Sequence, residues 1–494
     1  MYDHLEVEKK WQKYWADHET FKTDVWDFSK PKFYALDMFP YPSGVGLHAG
    51  HPEGYTATDI VSRMKRMQGY NVLHPMGYDS FGLPAEQYAV QTGNNPNGFT
   101  QTNIKTFTKQ LQELGFDYDW SKMIATSDPD FYHWTQWIFK QLYKDGYAKY
   151  VDMPVNWCEE LGTVLSNDEV IDGKSERGGY PVIRKNMKQL CIDQAAFAER
   201  LLEGLNEIDW PESTKEMQRN WIGRSTGVEV QFDIVGGGKF SIFTTCIETI
   251  YGITFMVLAP DGDLVQELMP RIQNQEEVKA YIQETVSKSE MDRTELNKGK
   301  TGCRLEGIKA INPVNGREVE VFIGDFVLAN YGTGAVMAVP SHDQRDFEYA
   351  IAHNIDRIQV IEGQDVSEHA FEKQDYLGKG CKLINSEEFT GLTVEEAKVA
   401  ITKKLVDMGI AKETVNYRFR EWIFARQRYW GEPVPIVHLE DGTDYVLPDE
   451  ELPLILPELE DYKGHNGKAP LENATEWKQY NKNGVKGVRE TSTM

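Results

Sequence analysis

Residues 33–76 combine a short strand, a tight turn, a helix and a second strand, and this order restricts the fold more than any other feature. The run FYALDMF at 33–39 is short and apolar and ends in the turn PYPSG, as a buried strand does. A helical pattern follows from Pro52 to Gly69, and YNVLHPM then has the composition of a second strand. Four apolar residues of this helical pattern share one face: Ile60, Val61, Met64 and Met67. The order is that of a βαβ unit, so the sequence predicts an α/β fold with a doubly wound parallel sheet.

Length and composition indicate a large enzyme rather than a disordered or membrane protein. A chain of 494 residues exceeds one ordinary domain, and the usual domain size predicts about three. Hydrophobic residues make up 40% of the chain and aromatic residues 12%, which is enough for several packed cores. The five cysteines are scattered, so we expect reduced thiols, no zinc framework and no protein-bound metal. Neither a leader nor a membrane segment is recognisable, which predicts a cytoplasmic protein.

The formal net charge of −24 argues against a protein that binds nucleic acid without sequence preference. Local basic groups nevertheless occur in KMKRMQ, RKNMKQ and RFREWIFARQR. An acidic protein with local basic faces can bind one RNA specifically and reject others. Composition alone therefore leaves an RNA partner open.

The loop GVGLHAGH, residues 44–51, lies where the first strand gives way to the helix. Free backbone N–H groups and the helix dipole favour a phosphate at such a position. His48 and His51 can add donors, while Gly50 lets a base or ribose approach the backbone closely. Two loop histidines that make only local hydrogen bonds are the alternative, and these residues alone leave both interpretations open.

Several longer motifs, taken in order, resemble the class I aminoacyl-tRNA synthetases, and specifically the leucyl-tRNA synthetases. The stretch FPYPSGVGLHAGHPEGYTATDI carries HAGH in the place of the HIGH signature, and GYDSFGLPAE is similar to the segment of the leucine enzymes. PESTKEMQRNWIGRS and WIFARQRYWGEPVPIV also resemble this family. The resemblance extends from about residue 3 to residue 494.

The resemblance implies an adenylation site for leucine and ATP, with Mg²⁺ entering as part of the ATP substrate. The residues implied to bind the ATP phosphates and adenine, and to stabilise the leaving pyrophosphate, are His48, Gly50 and His51. The residues implied to line the leucine pocket are Met38, Phe39 and Tyr41. Asp79 is implied to bind the α-ammonium of leucine, because a buried cation requires a partner. In isolation, Asp79 also fits a turn residue before Ser80.

The residues between 226 and 415 have a different pattern, with alternating strands (VEVQFDI, KFSIFTT, EVEVFIGDFVL) and the polar helical stretch QNQEEVKAYIQETVSKSEMDRTELNK. They predict an inserted mixed α/β, β-rich domain. We therefore expect a catalytic domain in two parts, 1–225 and 416–494, around the insertion. In the family this insertion is the editing domain, which hydrolyses misacylated tRNA. Such a second site is needed because one methylene changes binding by only about 1–3 kcal/mol.

Two segments resemble the walls of the editing site. In FTTCIETIYG, Thr244 and Thr245 are implied to position water or the ester, and Thr249 to block leucine itself. In GTGAVMAVPSHDQRDFEYA, Asp346 is implied to hold the substrate ammonium, and two neighbours are implied to support it: Asp343 and Arg345. Strand propensity alone explains a threonine pair, and a polar loop before a helix explains SHDQRD.

One departure lies inside the threonine-rich peptide, which in the family usually reads Thr-Thr-Arg-Pro-Asp-Thr. Cys246, Ile247 and Glu248 occupy its middle here. The change removes a multi-donor cation and a rigid proline. We expect Cys246 to be structural rather than a nucleophile, because no base for it is evident.

The lysine-rich KMSKS signature of class I enzymes does not occur in these 494 residues; NKGK and KNGVKG are only basic turns. From this we expect the chain alone to be incomplete for charging tRNA(Leu); it is either a monomer or needs a missing C-terminal portion. Three functions stay open: part of a leucine–tRNA ligase, a stand-alone editing hydrolase, and a non-catalytic or split subunit that pairs with a second chain. The first is favoured, because HAGH, GYDSFGLPAE and ARQRYWG all belong to the ligation site.

Overall fold

The computed structural model describes residues 3–42, 44–166, 169–171, 173–286, 293, 301–329, 332–419, 421–464 and 468–494. Its α-helices are α1 His4–Asp17, α2 Gly50–Met67, α3 Leu83–Thr92, α4 Pro96–Leu114, α5 Pro129–Lys144, α6 Ala198–Gly204, α7 Glu212–Ile222, α8 Asp263–Leu268, α9 Gln275–Val286, α10 Gln344–Ala352, α11 Lys373–Tyr376, α12 Val394–Asp407 and α13 Thr475–Lys478. None of them is both long and apolar enough to cross a bilayer, within the ranges given above.

The strands are β1 Lys32–Tyr34, β2 Asn71–Leu73, β3 Gly77–Tyr78, β4 Ile124–Ala125, β5 Ala148–Cys158, β6 Thr163–Leu165, β7 Val170–Ile171, β8 Lys174–Ser175, β9 Ile183–Ile192, β10 Ser225–Ile234, β11 Lys239–Thr244, β12 Phe255–Leu258, β13 Gly302–Ile311, β14 Glu318–Gly324, β15 Ala335–Ala338, β16 Ala411–Asn416, β17 Trp422–Ile423, β18 Ile436–Leu439, β19 Asp444–Val446, β20 Gln479–Lys482 and β21 Val485–Arg489. Helices and strands both occur in each part of the chain, and the predicted α/β class is confirmed.

The chain forms two compact units. The first comprises residues 1–164, 186–192 and 423–494, and the second comprises 165–185 and 193–422. The second unit contains all of the predicted insertion 226–415 and further residues on both sides of it. The boundaries at 225/226 and 415/416 stay predictions.

The βαβ unit predicted at the start of the first unit is present. β1 and β2 pair in parallel, with Lys32 opposite Asn71 and Tyr34 opposite Leu73. The helix α2 connects them. β1 is shorter than the predicted strand 33–39, because after Ala35 donates its N–H to the Leu73 carbonyl (2.9 Å) the chain leaves the ladder. Prolines soon follow, and they have no N–H to continue it.

The predicted helix is present as α2, and the apolar residues that share one of its faces are not the ones it buries. Ile60 is 61% exposed and Met67 is 82% exposed. The helix instead buries Tyr55 and Ser62, and Ser62 Oγ donates to the buried Asp117 carboxylate (2.7 Å). A polar anchor therefore sets the rotation of the helix, and the apolar stripe faces outward. α2 also begins at Gly50, two residues before the predicted start at Pro52.

The second unit is built on a seven-stranded sheet of described strands in the order β11-β10-β13-β14-β12-β15, with β16 also paired to β10. The strands predicted from VEVQFDI, KFSIFTT and EVEVFIGDFVL correspond to β10, β11 and β14. Residues of β10 alternate between buried and less buried positions over Val228–Ile234, so one face packs on the core. The predicted helix 273–298 is present as α9, which begins at Gln275 and ends at Val286. The residues after Val286, except Arg293, lie outside the described residues, and so does the basic turn NKGK.

Residues 423–494 return to the first unit and form the antiparallel sheet β19-β18-β21-β20. A charge network joins this sheet to β5. His438 contacts Asp444 through Nδ1 (2.7 Å) and Glu490 through Nε2 (3.1 Å), and Tyr150 donates to Glu490 (2.5 Å). Burial raises the pKa of Glu490, but hydrogen bonds from His438 and Tyr150 outweigh this effect and lower the pKa to about 2. The same partnership raises the pKa of His438.

We expect Glu490→Gln to lower the free energy of unfolding of the first unit by about 3 kcal/mol near pH 5.5, because it breaks a buried ion pair. The Glu490 contribution is present above its unfolded pKa of 4.5 and is lost as the pH falls toward 2. The His438 contribution is complete below 6.5 and is lost as the pH rises through its raised pKa. Urea unfolding at pH 3, 5.5 and 8 measures this, with exposed Glu440→Gln as the matched control. The same destabilisation at all three pH values would contradict the ion-pair assignment.

Candidate functional site

The two histidines of the loop GVGLHAGH are held by the backbone around them. The His48 N–H donates to Nδ1 of His51 (3.1 Å), and the Gly50 N–H donates to Nδ1 of His48 (3.2 Å). A neutral ring that accepts at Nδ1 carries its proton on Nε2. Both imidazoles therefore present an Nε2–H donor away from the loop. Their ring centroids are 3.8 Å apart, so the two donors lie close together.

Burial, followed by the neighbouring His48, lowers the pKa of His51, so His51 is neutral at pH 7. A Cβ at residue 50 would lie 3.2 Å from Cε1 and Nδ1 of His48, so a larger residue would require the His48 ring to shift slightly. No side chain caps the N-terminus of α2, which begins at Gly50. Two imidazole donors, a helix dipole and exposed backbone give this loop the properties of an anion site.

A cavity of about 330 Å³ opens against the same loop. It is lined by Leu47, His48, Ala49, Pro52, Gln110, Glu113 and Leu114. The Leu47 N–H donates to Gln110 Oε1 (2.7 Å), which ties the loop to α4. The cavity is large enough for part of a nucleotide and is bounded on one side by the His48 ring.

The residues implied to line the leucine pocket lie on the segment that follows β1. The Phe39 ring packs on Gly77, where a Cβ would come within 2.5 Å of the ring. Tyr41 donates its hydroxyl to the Phe81 carbonyl (2.5 Å). The Tyr41 oxygen would lie 1.8 Å from a Cβ at residue 82, so only glycine fits there, at φ +114°. Met38 is 83% exposed, and its carbonyl accepts a hydrogen bond from Tyr55 (3.2 Å).

Asp79 lies beside this segment and donates its N–H to the Pro40 carbonyl (3.2 Å). Its carboxylate is exposed at the surface of the pocket. Desolvation raises the pKa of Asp79, and a hydrogen bond with Thr126 opposes the rise. The structure thus brings Phe39, Tyr41 and Asp79 to one place, with the Asp79 carboxylate accessible to a ligand.

One contact beside Asp79 was not predicted from the sequence. It joins GYDSFGLPAE to residues 428–432, here called the RYWGE segment. The buried Glu86 accepts the backbone N–H groups of Tyr429 (3.1 Å) and Trp430 (3.0 Å) through the same oxygen. The Trp430 indole donates to the Ser80 carbonyl (2.8 Å), and the Gly82 N–H donates to the Trp430 carbonyl (3.2 Å). The signal for it is a glutamate at the end of an otherwise apolar LPAE, since a buried carboxylate must find donors.

Asp59, His74 and Asp117 form the acid–histidine cluster closest to a metal-site arrangement among the described residues. Asp117 already accepts His74 Nδ1 on one oxygen (2.6 Å) and Ser62 on the other. Both oxygens of Asp59 also have donors: the Asp117 N–H (2.7 Å) and Arg63 Nε (2.8 Å). Donors therefore occupy the carboxylate oxygens of this cluster, as in a structural hydrogen-bond network, while His74 Nε2 is buried without a hydrogen-bond partner.

The threonine-rich peptide of the second unit lies at the end of β11. Thr244 accepts the Cys246 N–H at its hydroxyl (3.0 Å), and the Thr245 carbonyl accepts Lys398 Nζ (2.9 Å). Thr249 is 1% exposed and donates its hydroxyl to the Cys246 carbonyl (2.8 Å). Local hydrogen bonds therefore fix the peptide even though the usual proline is absent.

The second implied wall follows β15 and begins α10. Asp343 caps this helix and accepts the N–H groups of Arg345 and Asp346, both at 3.0 Å. Asp346 is buried, and one of its oxygens accepts the Val339 N–H (2.9 Å). The Arg345 side chain is exposed.

Tyr376 contacts both walls and was not expected from sequence. It donates to Glu248 Oε1 (3.2 Å), and its ring lies edge-on to His342 at 6.1 Å. Burial raises the pKa of Glu248 and lowers that of His342 to about 4. Both ring nitrogens of His342 are hydrogen bonded to the backbone: Nδ1 to the Phe371 carbonyl (3.1 Å) and Nε2 to the Val360 N–H (3.0 Å). His342 is therefore not available as a base.

Two family models and a solved structure match this chain. Residues 10–295 match the family model for tRNA synthetases class I (I, L, M and V), and residues 219–406 match the leucyl-tRNA synthetase editing domain. A similar solved structure is the agnB2 LeuRS of Agrobacterium radiobacter K84, in a ternary complex with tRNA and LeuAMS. The TM-score is 0.83 at 33% sequence identity, and the match covers 100% of this chain and 58% of that one. The chain therefore spans somewhat over half the length of the structure that it matches.

We expect Glu86→Ala to accelerate hydrogen exchange of the Tyr429 and Trp430 amides by at least about tenfold. The reason is that each amide loses an acceptor whose hydrogen bond is worth roughly 1.5–3 kcal/mol. Hydrogen–deuterium exchange followed by mass spectrometry over residues 428–432 measures the exchange rates of these amides. The control is the variant Glu160→Ala, at an exposed position. Unchanged protection at these two amides would show that Glu86 does not hold the segment.

Proposed function

This chain belongs to the class I tRNA synthetases, within their leucyl-tRNA synthetase group, and from that membership we propose that it activates leucine with ATP for transfer to tRNA(Leu) and edits misacylated tRNA. The observation that carries the proposal is the attachment of the RYWGE segment to Ser80 and Glu86. This attachment joins GYDSFGLPAE and ARQRYWG, the two motifs of the ligation site, beside Asp79. A protein that acted only as a hydrolase would not need these motifs to be joined. We place this activity in the cytoplasm.

Adenylation requires the leucine carboxylate to attack the α-phosphate of ATP, which enters as its Mg²⁺ complex. The attack needs no acid or base from the protein, so positioning and charge stabilisation account for catalysis. His48 and His51 supply two Nε2–H donors for the phosphate oxygens, since the Nδ1 atom of each ring accepts a backbone N–H. Gly50 leaves space for the nucleotide against the start of α2.

The amino acid is held at the other side of the pocket. Asp79 receives its α-ammonium; partial burial raises the pKa of this carboxylate, and the residue stays accessible to a ligand. Phe39, Tyr41 and Met38 contact the side chain. The Tyr41 hydroxyl is bound to the Phe81 carbonyl, so its ring is fixed before the substrate arrives.

Editing takes place in the second unit, between the peptide that follows β11 and the start of α10. Asp346 binds the substrate ammonium, and Thr244 and Thr245 orient a water toward the ester. No nucleophile is needed, since hydrogen bonds to the tetrahedral intermediate and an oriented water suffice. Supporting this, His342 is fully engaged by the backbone. Asp343 supports the site through the cap of α10.

We expect Asp79→Asn to weaken leucine binding at least about thirtyfold, or about 2 kcal/mol, because the ammonium loses its counter-charge. Isothermal titration of leucine into the chain measures the dissociation constant, with exposed Asp152→Asn as the control. N-acetyl-leucine, which has no ammonium, should not bind to either form. Equal affinity of Asp79→Asn and wild type would remove Asp79 from the site.

We expect Asp346→Ala to slow the hydrolysis of misacylated tRNA(Leu) on the order of a hundredfold, because the ester is no longer held in position. Deacylation of tRNA(Leu) that carries a noncognate aliphatic amino acid is the assay. Glu348→Ala, exposed on the same helix, is the control. A well-folded wild-type chain with no deacylation activity would exclude editing by this chain, whatever the outcome for ligation.

A further inference from the structure

A cavity of about 500 Å³ lies in the second unit, and none of its lining residues belongs to the proposed ligation and editing sites. Four of these residues lie on α6 and on the turn before it, and the fifth lies at the start of the basic segment RFREWIFARQR. They are Gln194, Phe197, Arg200, Leu201 and Phe419. The volume is that of a site for a ligand as large as a nucleotide.

Hydrogen bonds hold the two walls of this cavity in place without a ligand. The Phe419 N–H donates to the Ile222 carbonyl at the end of α7 (3.2 Å). Two residues before Phe419, the Tyr417 hydroxyl donates to Glu199 Oε1 of α6 (2.5 Å). Because Glu199 directly precedes Arg200, this bond attaches the wall that carries Phe419 to the wall that carries Arg200.

Two exposed arginines at the cavity form no ion pair with another described residue: Arg200 and Arg418. The stem of Arg418 packs on Gly223, where a Cβ would lie 2.7 Å from Arg418 Cγ. The nearest acid in sequence, Glu199, is already paired with Arg224 (2.7 Å). Positive charge is therefore left without a partner here, although the whole chain has a net charge of −24.

The residue types of the cavity match the parts of a nucleotide. Aromatic rings stack on bases of any sequence, and a guanidinium binds a phosphate through paired hydrogen bonds. The Gln194 amide offers both a donor and an acceptor to the edge of a base. The alternative ligand is an apolar segment of a partner protein, which would cover Phe197 and Phe419 but leave Arg200 without an anion.

We propose that this cavity binds one unpaired nucleotide of an RNA strand, with the base against Phe197 and Phe419 and the phosphate on Arg200. Arg418 adds positive charge beside the site. The inference rests on the proposed binding of tRNA(Leu) and gives that partner a further contact, separate from the adenylation and editing residues. No bond forms or breaks in the cavity, so it contributes to affinity for the RNA and not to chemistry.

The test is the binding of a fluorescein-labelled tRNA(Leu) transcript to the whole chain, followed by fluorescence anisotropy between about 50 and 200 mM KCl. We expect Arg200→Gln to weaken binding about fivefold and to lower the slope of log affinity against log salt by about 0.7, because one phosphate contact is lost. Phe419→Leu stays apolar but loses the ring, and should weaken binding about tenfold with an unchanged slope.

The matched control is Arg317→Gln, which removes an exposed arginine elsewhere in the same unit and should bind tRNA as wild type does. An equal loss of affinity in this control would show a general effect of charge and would overturn the assignment. Because Arg200 is exposed, its replacement tests the site even if Phe419→Leu does not fold. Ultraviolet crosslinking of the same tRNA should place crosslinked nucleotides on Phe197 or Phe419.

The remaining outcomes separate this inference from the proposed function. If Arg200→Gln and Phe419→Leu bind tRNA with the affinity and salt slope of wild type, the cavity does not bind RNA and the proposed function stands. If these variants bind tRNA normally but Arg200→Gln lowers the affinity for AMP, the cavity takes a free nucleotide and the RNA assignment is wrong. If the folded wild-type chain binds no tRNA at any salt concentration, the inference and the proposed transfer to tRNA are both overturned.

Discussion

The buried carboxylate of Glu86 holds together parts of the chain that are 343 residues apart in sequence, by accepting the amides of Tyr429 and Trp430. Bonds from a carboxylate are about twice as strong as those between neutral groups, and they are directional. Because the acceptor is at the end of GYDSFGLPAE, the segment in which the chain returns to the first unit is attached next to Asp79, where we propose that the amino acid binds.

In the second unit, separate segments are also held together, here by a tyrosine side chain. Its two implied walls lie on separate parts of one sheet, after β11 and after β15, and Tyr376 contacts both. Hydrogen bonds within each wall are local: Thr249 to the Cys246 carbonyl, and Asp343 to the start of α10. This explains how the peptide with Cys246-Ile247-Glu248 keeps a fixed conformation, because its turn does not depend on a proline. Glu248 takes a buried place in it, where Tyr376 is its hydrogen-bond partner.

Sequence patterns predicted the α/β class, the βαβ unit and the strands β10, β11 and β14, because local periodicity determines these elements. They did not identify the face that α2 buries, where Ser62 donates to the buried Asp117 and the apolar residues Ile60 and Met67 are exposed. Asp117 is 55 residues away along the chain, and no local pattern contains that information. The site residues were named through motifs, and their roles stay predictions. The partners that hold them, Glu86 and Tyr376, were missed because their contacts arise only from tertiary structure.

The separation in sequence between Glu86 and the amides of Tyr429 and Trp430 also affects the order in which the protein folds during synthesis. The residues near Asp79, where we propose that leucine binds, leave the ribosome early, but the segment attached to Glu86 follows 343 residues later. At about 5–20 residues per second, the interval is roughly 17–70 s. During that time the Glu86 carboxylate and the Ser80 carbonyl lack their native partners. The second unit, by contrast, has most of its sheet available sooner, so the order of emergence favours folding of the insertion before the pocket that it interrupts.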